Sequence, residues 1–282
     1  MTGANTGLGA EAAREFAKRG ATVVLACRNA EKTEPFLKSV RMESGNSDVH
    51  FMHLDLASLS SVRRFADELT AAYPKIHSLV CNAGVWLPME RKIKTMDSFE
   101  VHVGTNHLGH FLLTSLLLDR LAQSSPSRVV VVSSSLMDSG RVDLAAHDHF
   151  LEGRQAEGKH SHVPTGYSDS KLMNALFVKE LAARTQGRGI TAVCISPGWC
   201  KTELSRDVGL PFIFLPIAAM FMRSATQGAQ NIIQAVVEDA QTLTSGGFYS
   251  ECKLDVAKEA RLGEMGELQQ LLWQRSEELT GI

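Results

Sequence analysis

Runs of apolar residues of strand length alternate with longer segments of helical period along the whole chain, and this alternation leaves few architectures open. The strand-length runs fall at 21–27, 49–54, 77–81, 128–134, 190–196 and 247–250, and the helical segments at about 10–19, 30–43, 58–72, 98–123, 166–186, 224–239 and 264–279. Strand then helix, repeated, predicts an α/β domain with right-handed crossovers and a doubly wound parallel sheet. Several of the runs are almost continuously apolar, as strands buried on both faces are. Ser60, Asp97 and Ser224 stand where helices should start, and Gly20 and Gly45 where helices should stop. One domain over 1–282 is expected, with function in the loops after the strands, where such sheets bind ligands.

Composition narrows the partners. Of 282 residues, 44% are hydrophobic and 21% charged, and the net charge of −2 supplies no general attraction to nucleic acid. Cys27, Cys81, Cys194, Cys200 and Cys252 are odd in number and form no CxxC pair, which argues against a disulfide framework or a metal site and for a reducing compartment. No signal peptide opens the chain and no apolar run reaches 18 residues. The segment 209–222, GLPFIFLPIAAMFM, is too short to cross a bilayer; it reads as a lid or substrate wall, a membrane-surface contact, or core. Two regions, about 138–164 and 203–224, are the expected substrate loops.

Residues 2–9 form a glycine-rich turn, TGANTGLG, followed at once by a helical stretch. Glycines at this spacing let the backbone approach a pyrophosphate while the helix N-terminus offers free N–H groups. Gly3, Asn5, Thr6, Gly7, Leu8 and Gly9 are therefore candidate cofactor contacts. A strand should run into such a loop, yet only Met1 precedes Thr2. That strand belongs at the centre of the sheet, between 21–27 and 77–81, so the expectation is a slot in the core with unpaired backbone on both sides, the mark of a truncated form, a short isoform or a misassigned start. Arg28 directly follows the second strand, where an acidic residue would hold the ribose hydroxyls of NAD. A cation there suits the 2′-phosphate of NADP, so NADP(H) is expected over NAD(H). Asp55, with Leu56, ends the third strand and is placed to meet the adenine, although an N-cap role for Asp55 or Ser58 is a competing account.

Tyr167 and Lys171 are four residues apart, on one face of a predicted helix. An ammonium there would favour phenolate and lower the tyrosine pKa. Ser134 ends an apolar strand and can present its hydroxyl to the same cleft. With these, the motifs Thr2–Gly9, Asn82-Ala83-Gly84, Asn106, Ser133-Ser134 and Pro197-Gly198 with Thr202 stand in the order that resembles a conventional short-chain dehydrogenase/reductase, covering nearly the whole chain. The resemblance implies a Rossmann fold. It also implies that Tyr167 is the general acid or base at the substrate oxygen, that Ser134 orients that oxygen, and that Lys171 tunes the phenol and holds the nicotinamide ribose. Asn106 would support a water relay to the lysine. Asn82, Ala83 and Gly84 would shape the cofactor site, and Pro197, Gly198 and Thr202 would meet the nicotinamide carboxamide. Ser135 adjoins Ser134, and the choice of Ser134 follows the strand-Ser-Ser pattern.

The phrases ACRN (26–29), NHLGHFLLT (106–114) and YSDSKL (167–172) are similar to the retinol dehydrogenase branch. This implies a small apolar alcohol, aldehyde or ketone as substrate: a retinoid, another isoprenoid or a steroid. It also implies the cytoplasmic side of a membrane, with association to the endoplasmic reticulum where a hydrophobic anchor precedes the first strand. Helices like 98–123 and 166–186 build a homodimer in many members. Ser134 and Tyr167 are 33 positions apart, and the stretch between them carries His147, His149, His160 and His162, read as a polar loop and not as a metal site. Two rival functions stand beside the oxidoreductase: a non-catalytic cofactor-binding or interaction protein lacking its first strand, and a sugar-nucleotide epimerase or dehydratase, which the glycine spacing and short tail disfavour.

Overall fold

The computed structural model describes residues 1–88, 93–144, 149–153, 164–200, 222–239 and 242–282. Parallel strands and covering helices alternate as expected: α1 (Gly7–Lys18), β1 (Val23–Cys27), α2 (Ala30–Ser44), β2 (Val49–His53), α3 (Leu59–Ala72) and β3 (Ser78–Cys81). After a π-helical turn (Val103–Leu108) come α4 (Gly109–Gln123) and β4 (Ser127–Val132). A 3-10 turn (Ser135–Ser139) and the short α5 (His149–Glu152) lead to α6 (Thr165–Arg184) and β5 (Ile190–Ser196). The chain closes with α7 (Ala225–Val237), β6 (Phe248–Ser250), β7 (Lys253–Leu254), α8 (Val256–Gly263) and α9 (Gly266–Thr280). The order is that of a Rossmann-type sheet with helices on both faces.

The sheet is divided. β1 pairs in parallel with β2, and β3, β4, β5 and β6 pair in parallel with β7 antiparallel at the edge. The division falls between β1 and β3, where the slot is expected, but that slot is not open along its whole length. Met1–Gly3 lies across its carboxyl end: Ala26 N donates to Met1 O (2.9 Å), Gly3 N to Ala26 O (2.9 Å) and Thr2 N to Val80 O (2.9 Å). These three residues place the glycine loop at the topological switch point.

Hydrophobic packing explains the layers. One core lies under α3, α4, α6 and α9 and contains Phe65, Phe111, Leu117, Met173, Phe177 and Trp273; the other lies under α1, α2 and α7 and contains Phe16, Leu37, Val40 and Ile232. α6 is buried on nearly every side from Thr165 to Leu181, as a helix wedged between other elements must be. α9 supplies its outer cover. Trp273 stacks on Phe177 (5.7 Å between centroids) and meets Phe111 edge-on (5.0 Å), with the Arg184 guanidinium 4.6 Å from its ring. Ser276 Oγ bonds His107 Nε2 at 3.0 Å.

Several boundaries differ from expectation for local reasons. α1 begins at Gly7, inside the glycine loop. The helix expected from residue 98 cannot start there, because Ser98 has a φ of 69° in the left-handed region. The N-cap of α3 is Ser58, which accepts from Ser61 N, and not Ser60; Asp97 caps the same helix from outside by accepting from Leu59 N (2.8 Å). Ser224 forms a full capping box with Gln227, and Gly45 ends α2 at a φ of 67°. The pair β7 and α8 lies outside the segments expected from the sequence. All five cysteines are free, with Cys27, Cys81 and Cys194 buried in strands. Among the described residues no helix is long and apolar enough to cross a membrane. The segment 209–221, His147, His160, His162 and Thr202 lie outside the described residues.

Candidate active site

The glycine loop is built around the Thr2 hydroxyl. It accepts from Asn82 N and Ala83 N (both 2.9 Å) and lies 2.9 Å from His110 Nε2. Asn82 Nδ2 donates to the carbonyls of Thr2 (2.9 Å) and Gly3 (3.1 Å). The Asn82-Ala83-Gly84 turn is thus bonded directly to the loop, as the motif implied. Glycine is required at two points. Gly3 has a φ of 59° with the Ala83 backbone against it, and a Cβ on Gly9 would drive into the Gly3 carbonyl. The N-terminus of α1 has no side-chain cap hydrogen bond and no acidic residue in its first turn, so no side chain competes there for an anion. These are the properties that a pyrophosphate needs.

Other candidate cofactor residues line the same edge. Asn5 Nδ2 donates to Thr33 Oγ1 (3.1 Å), and Thr6 is exposed at the N-cap of α1. Leu8 is half-buried, with its side chain toward Gly228 and Cys200. Arg28 is exposed after β1. Asp55 accepts from Ala57 N (3.0 Å), so part of its carboxylate is used in shaping its own turn, while Leu56 is buried against Gly109. Pro197 is buried at the end of β5, and Gly198 turns the chain at a φ of 78°.

Across the sheet, α6 carries Tyr167 and Lys171. Lys171 is 3% exposed, and its ammonium donates to Val132 O (2.9 Å) at the end of β4, 5.5 Å from the Tyr167 ring centre. Burial pulls its pKa down to about 8. Tyr167 is 4% exposed, and burial pushes its phenol up to about 12, with a hydrogen bond to Ser134 acting in the opposite sense. Burial is the largest cause at both groups and disfavours the charged form of each, so the lowering of the phenol that the spacing predicts is not seen in this structure.

Ser134, and not Ser135, is the serine against the phenol. Its Oγ also accepts from Leu136 N (3.2 Å), fixing the start of the 3-10 turn. Ser133 has a different task, donating to Lys171 O (2.7 Å). Asn106, fully buried in the π-helical turn, accepts from Val85 N (2.8 Å) and donates to Val85 O (3.1 Å) and Ser170 Oγ (3.0 Å). Its own carbonyl accepts from His110 Nδ1 (3.0 Å). A Cβ on Gly84 would sit 3.4 Å from Asn106 Oδ1 and 3.6 Å from Lys171 Nζ. The bare glycine keeps that side of both groups clear.

Residues that the sequence did not single out complete the site. Trp86 stacks on Tyr167, His102 stands edge-on to the same ring, and His110 links Asn106 to Thr2. The four-residue spacing of 102, 106 and 110 was the available signal. With Nδ1 donating to a carbonyl, His110 is neutral and its Nε2 accepts the Thr2 hydroxyl proton; burial holds its pKa down at about 4. In the insert, His149 Nε2 lies 3.5 Å from the buried Asp169, which also accepts from Arg141 N (2.8 Å). No cluster of three metal-ligating side chains occurs among the described residues.

Comparison with known proteins follows this geometry. The family described as short chain dehydrogenase matches residues 1–146. Human retinol dehydrogenase 12 is 41% identical over all of this chain and 85% of its own length, and human retinol dehydrogenase 11 is 39% identical over the same shares. Bovine dehydrogenase/reductase SDR family member 13 is 39% identical over all of this chain and 72% of its own. Among solved structures, an uncharacterized protein from Mycobacterium paratuberculosis superposes with a TM-score of 0.73 at 34% identity, covering 99% of this chain and 91% of that one. An Escherichia coli short chain dehydrogenase complexed with NADPH superposes with a TM-score of 0.69 at 23% identity, covering 89% of this chain and 95% of that one. The chain belongs to the short-chain dehydrogenase family of oxidoreductases, in its retinol dehydrogenase-like branch.

Proposed function

We propose that this protein is an NADP(H)-dependent oxidoreductase that interconverts an apolar alcohol with its aldehyde or ketone, of retinoid, isoprenoid or steroid-like shape. The observation that carries this reading is the enclosure of Tyr167, Ser134 and Lys171 beside Gly84, on the far side of the Asn82-Ala83-Gly84 turn from the glycine loop. A bound nicotinamide would supply or take the hydride.

The protein manages position and the proton. Thr2, Gly3 and the start of α1 would hold the pyrophosphate, and Arg28 would meet the 2′-phosphate, which favours NADP(H) over NAD(H). The occurrence of NADP or NADPH complexes among structural relatives supports the same choice. Asn5, Asp55 and Leu56 would border the adenosine, while Leu8, Pro197 and Gly198 would border the nicotinamide, with Thr202 a further candidate contact. In reduction, the substrate oxygen accepts the Tyr167 proton, which a phenol near 12 retains at neutral pH. Ser134 donates to the developing alkoxide. Lys171, near 8, is mostly protonated at neutral pH and offers its remaining N–H groups toward the ribose and phenol. Asn106 keeps segment 84–87 and Ser170 in place and supports proton relay to Lys171. The regions 138–164 and 203–224 are the candidate substrate loops, with 209–222 the candidate for contact with a membrane surface.

The test is NADPH titration by fluorescence followed by reduction of all-trans-retinal, with Tyr167→Phe as the comparison. The expected outcome is unchanged NADPH affinity and a turnover lower by about 10²–10⁴-fold in the variant. Retained turnover in Tyr167→Phe overturns the assignment, and NADPH binding without turnover in the unmodified protein favours a non-catalytic cofactor-binding role.

A further inference from the structure

We propose that Trp86 is a specificity-determining wall of the substrate site and that the Glu100–His102 pair positions it. This inference rests on the oxidoreductase reading. The Trp86 and Tyr167 rings are stacked with centroids 4.6 Å apart and planes 29° from parallel. His102 closes another side, edge-on at 6.3 Å and 85°. Trp86 is half-buried, so part of the indole stays open beside the phenol.

The segment that carries Trp86 has no helix or strand to hold it, yet it is tied down on both sides of the indole. Asn106 grips Val85 through N–H and carbonyl, and His102 Nε2 accepts from Leu87 N at 3.0 Å. Because Nε2 accepts a backbone N–H, the His102 proton resides on Nδ1 and is donated to Glu100 Oε1 at 2.6 Å. Glu100 Oε2 in turn accepts from His102 N (2.9 Å) and Val103 N (2.8 Å). The carboxylate thus fixes the imidazole, the imidazole fixes the Leu87 backbone, and the backbone that carries the indole is held on both sides as the ring lies on the tyrosine.

A flat π-surface abutting the reacting oxygen discriminates by shape. A planar conjugated aldehyde can extend the aromatic stack as its carbonyl reaches Tyr167, whereas a saturated chain gains only area. Trp86 therefore selects conjugated, planar substrates over saturated ones of equal length, and His102 acts through Trp86 without touching the substrate.

The experiment measures kcat and KM with NADPH for all-trans-retinal and for a saturated aldehyde of similar length, in the unmodified protein and in Trp86→Leu, Trp86→Phe, His102→Ala and His102→Gln. Equilibrium binding of retinoic acid, a non-reacting polyene, is measured in parallel. For Trp86→Leu the expected result is a three- to tenfold rise in KM for retinal, a similar loss of retinoic acid affinity, and little change with the saturated aldehyde or in NADPH affinity. Trp86→Phe should restore most of the preference, and His102→Gln, which can both accept from Leu87 and donate to Glu100, should restore what His102→Ala loses. An unchanged ratio between the two aldehydes and unchanged retinoic acid affinity in Trp86→Leu overturn the proposal. An unmodified protein that reduces neither aldehyde counts against the oxidoreductase reading, while the retinoic acid arm still decides the role of Trp86.

Discussion

The two sides of the glycine loop are built to different standards of cohesion. On one side β1 and β2 form a two-stranded sheet whose link to β3 runs through Met1–Gly3 and the side chain of Thr2. On the other, β3 to β7 are continuous and α6 is enclosed by sheet, turns and α9. The candidate adenosine contacts, Arg28, Asn5 and Asp55, belong to the first side, and Tyr167, Lys171 and Ser134 to the second. Cofactor affinity should therefore be sensitive to the junction, and global stability to the packed half.

The largest effect should come from Trp273, which joins α9 to Phe111 and Phe177. Trp273→Ala is expected to cost about 3–5 kcal/mol in denaturant unfolding, with NADPH affinity of the remaining folded protein unchanged. A loss of affinity in the folded fraction would show that the two sides are not separable in this way. Gly9→Ala attacks the junction instead. Overpacking against the Gly3 carbonyl and Asn82 should cost about 1–3 kcal/mol but weaken NADPH binding disproportionately, as read by fluorescence titration and thermal melting together. Destabilisation as large as that of Trp273→Ala, with affinity intact, would break the comparison.

The last effect is graded with pH and is small near neutrality. His107 and His110 are buried in the second half with pKa values held down at about 3 and about 4 by loss of solvation. Below 6.5 the unfolded chain protonates them while the folded protein does not. The unfolded state then binds more protons, so stability falls as the pH drops from 6.5 toward 4, by about 1.4 kcal/mol per pH unit for each histidine. Equilibrium unfolding of His110→Gln across this range should show a slope shallower by about one proton. An unaltered slope would mean that His110 is solvated in the native state.

Much of this was legible in the sequence for a physical reason: short-range geometry follows from residue type. The glycines of 2–9, the capping box at Ser224 and Gln227, and the shared helix face of Tyr167 and Lys171 each involve residues within a few positions, where helix and turn geometry dictates the outcome. The division of the sheet between β1 and β3 was legible too, since a glycine loop of this kind follows a central strand. The short α8 and the start of the helix near Asn106 were not, because a left-handed Ser98 and a buried π-helical turn depend on what packs around them. The burial that raises the phenol was not legible for a related reason: sequence spacing reveals the neighbouring charge and not the desolvation of both groups.

The chain by itself determined the α/β order, the position of the anion-binding loop at the head of α1 and the pairing of a phenol with an ammonium one turn apart. Only the tertiary structure decided that Trp86 lies on Tyr167, that Thr2 meets His110 across 108 positions and that α9 seals α6. The first set rests on local backbone geometry, which each segment carries with it. The second rests on close packing between distant segments, where which side chains meet is settled only when the layers come together.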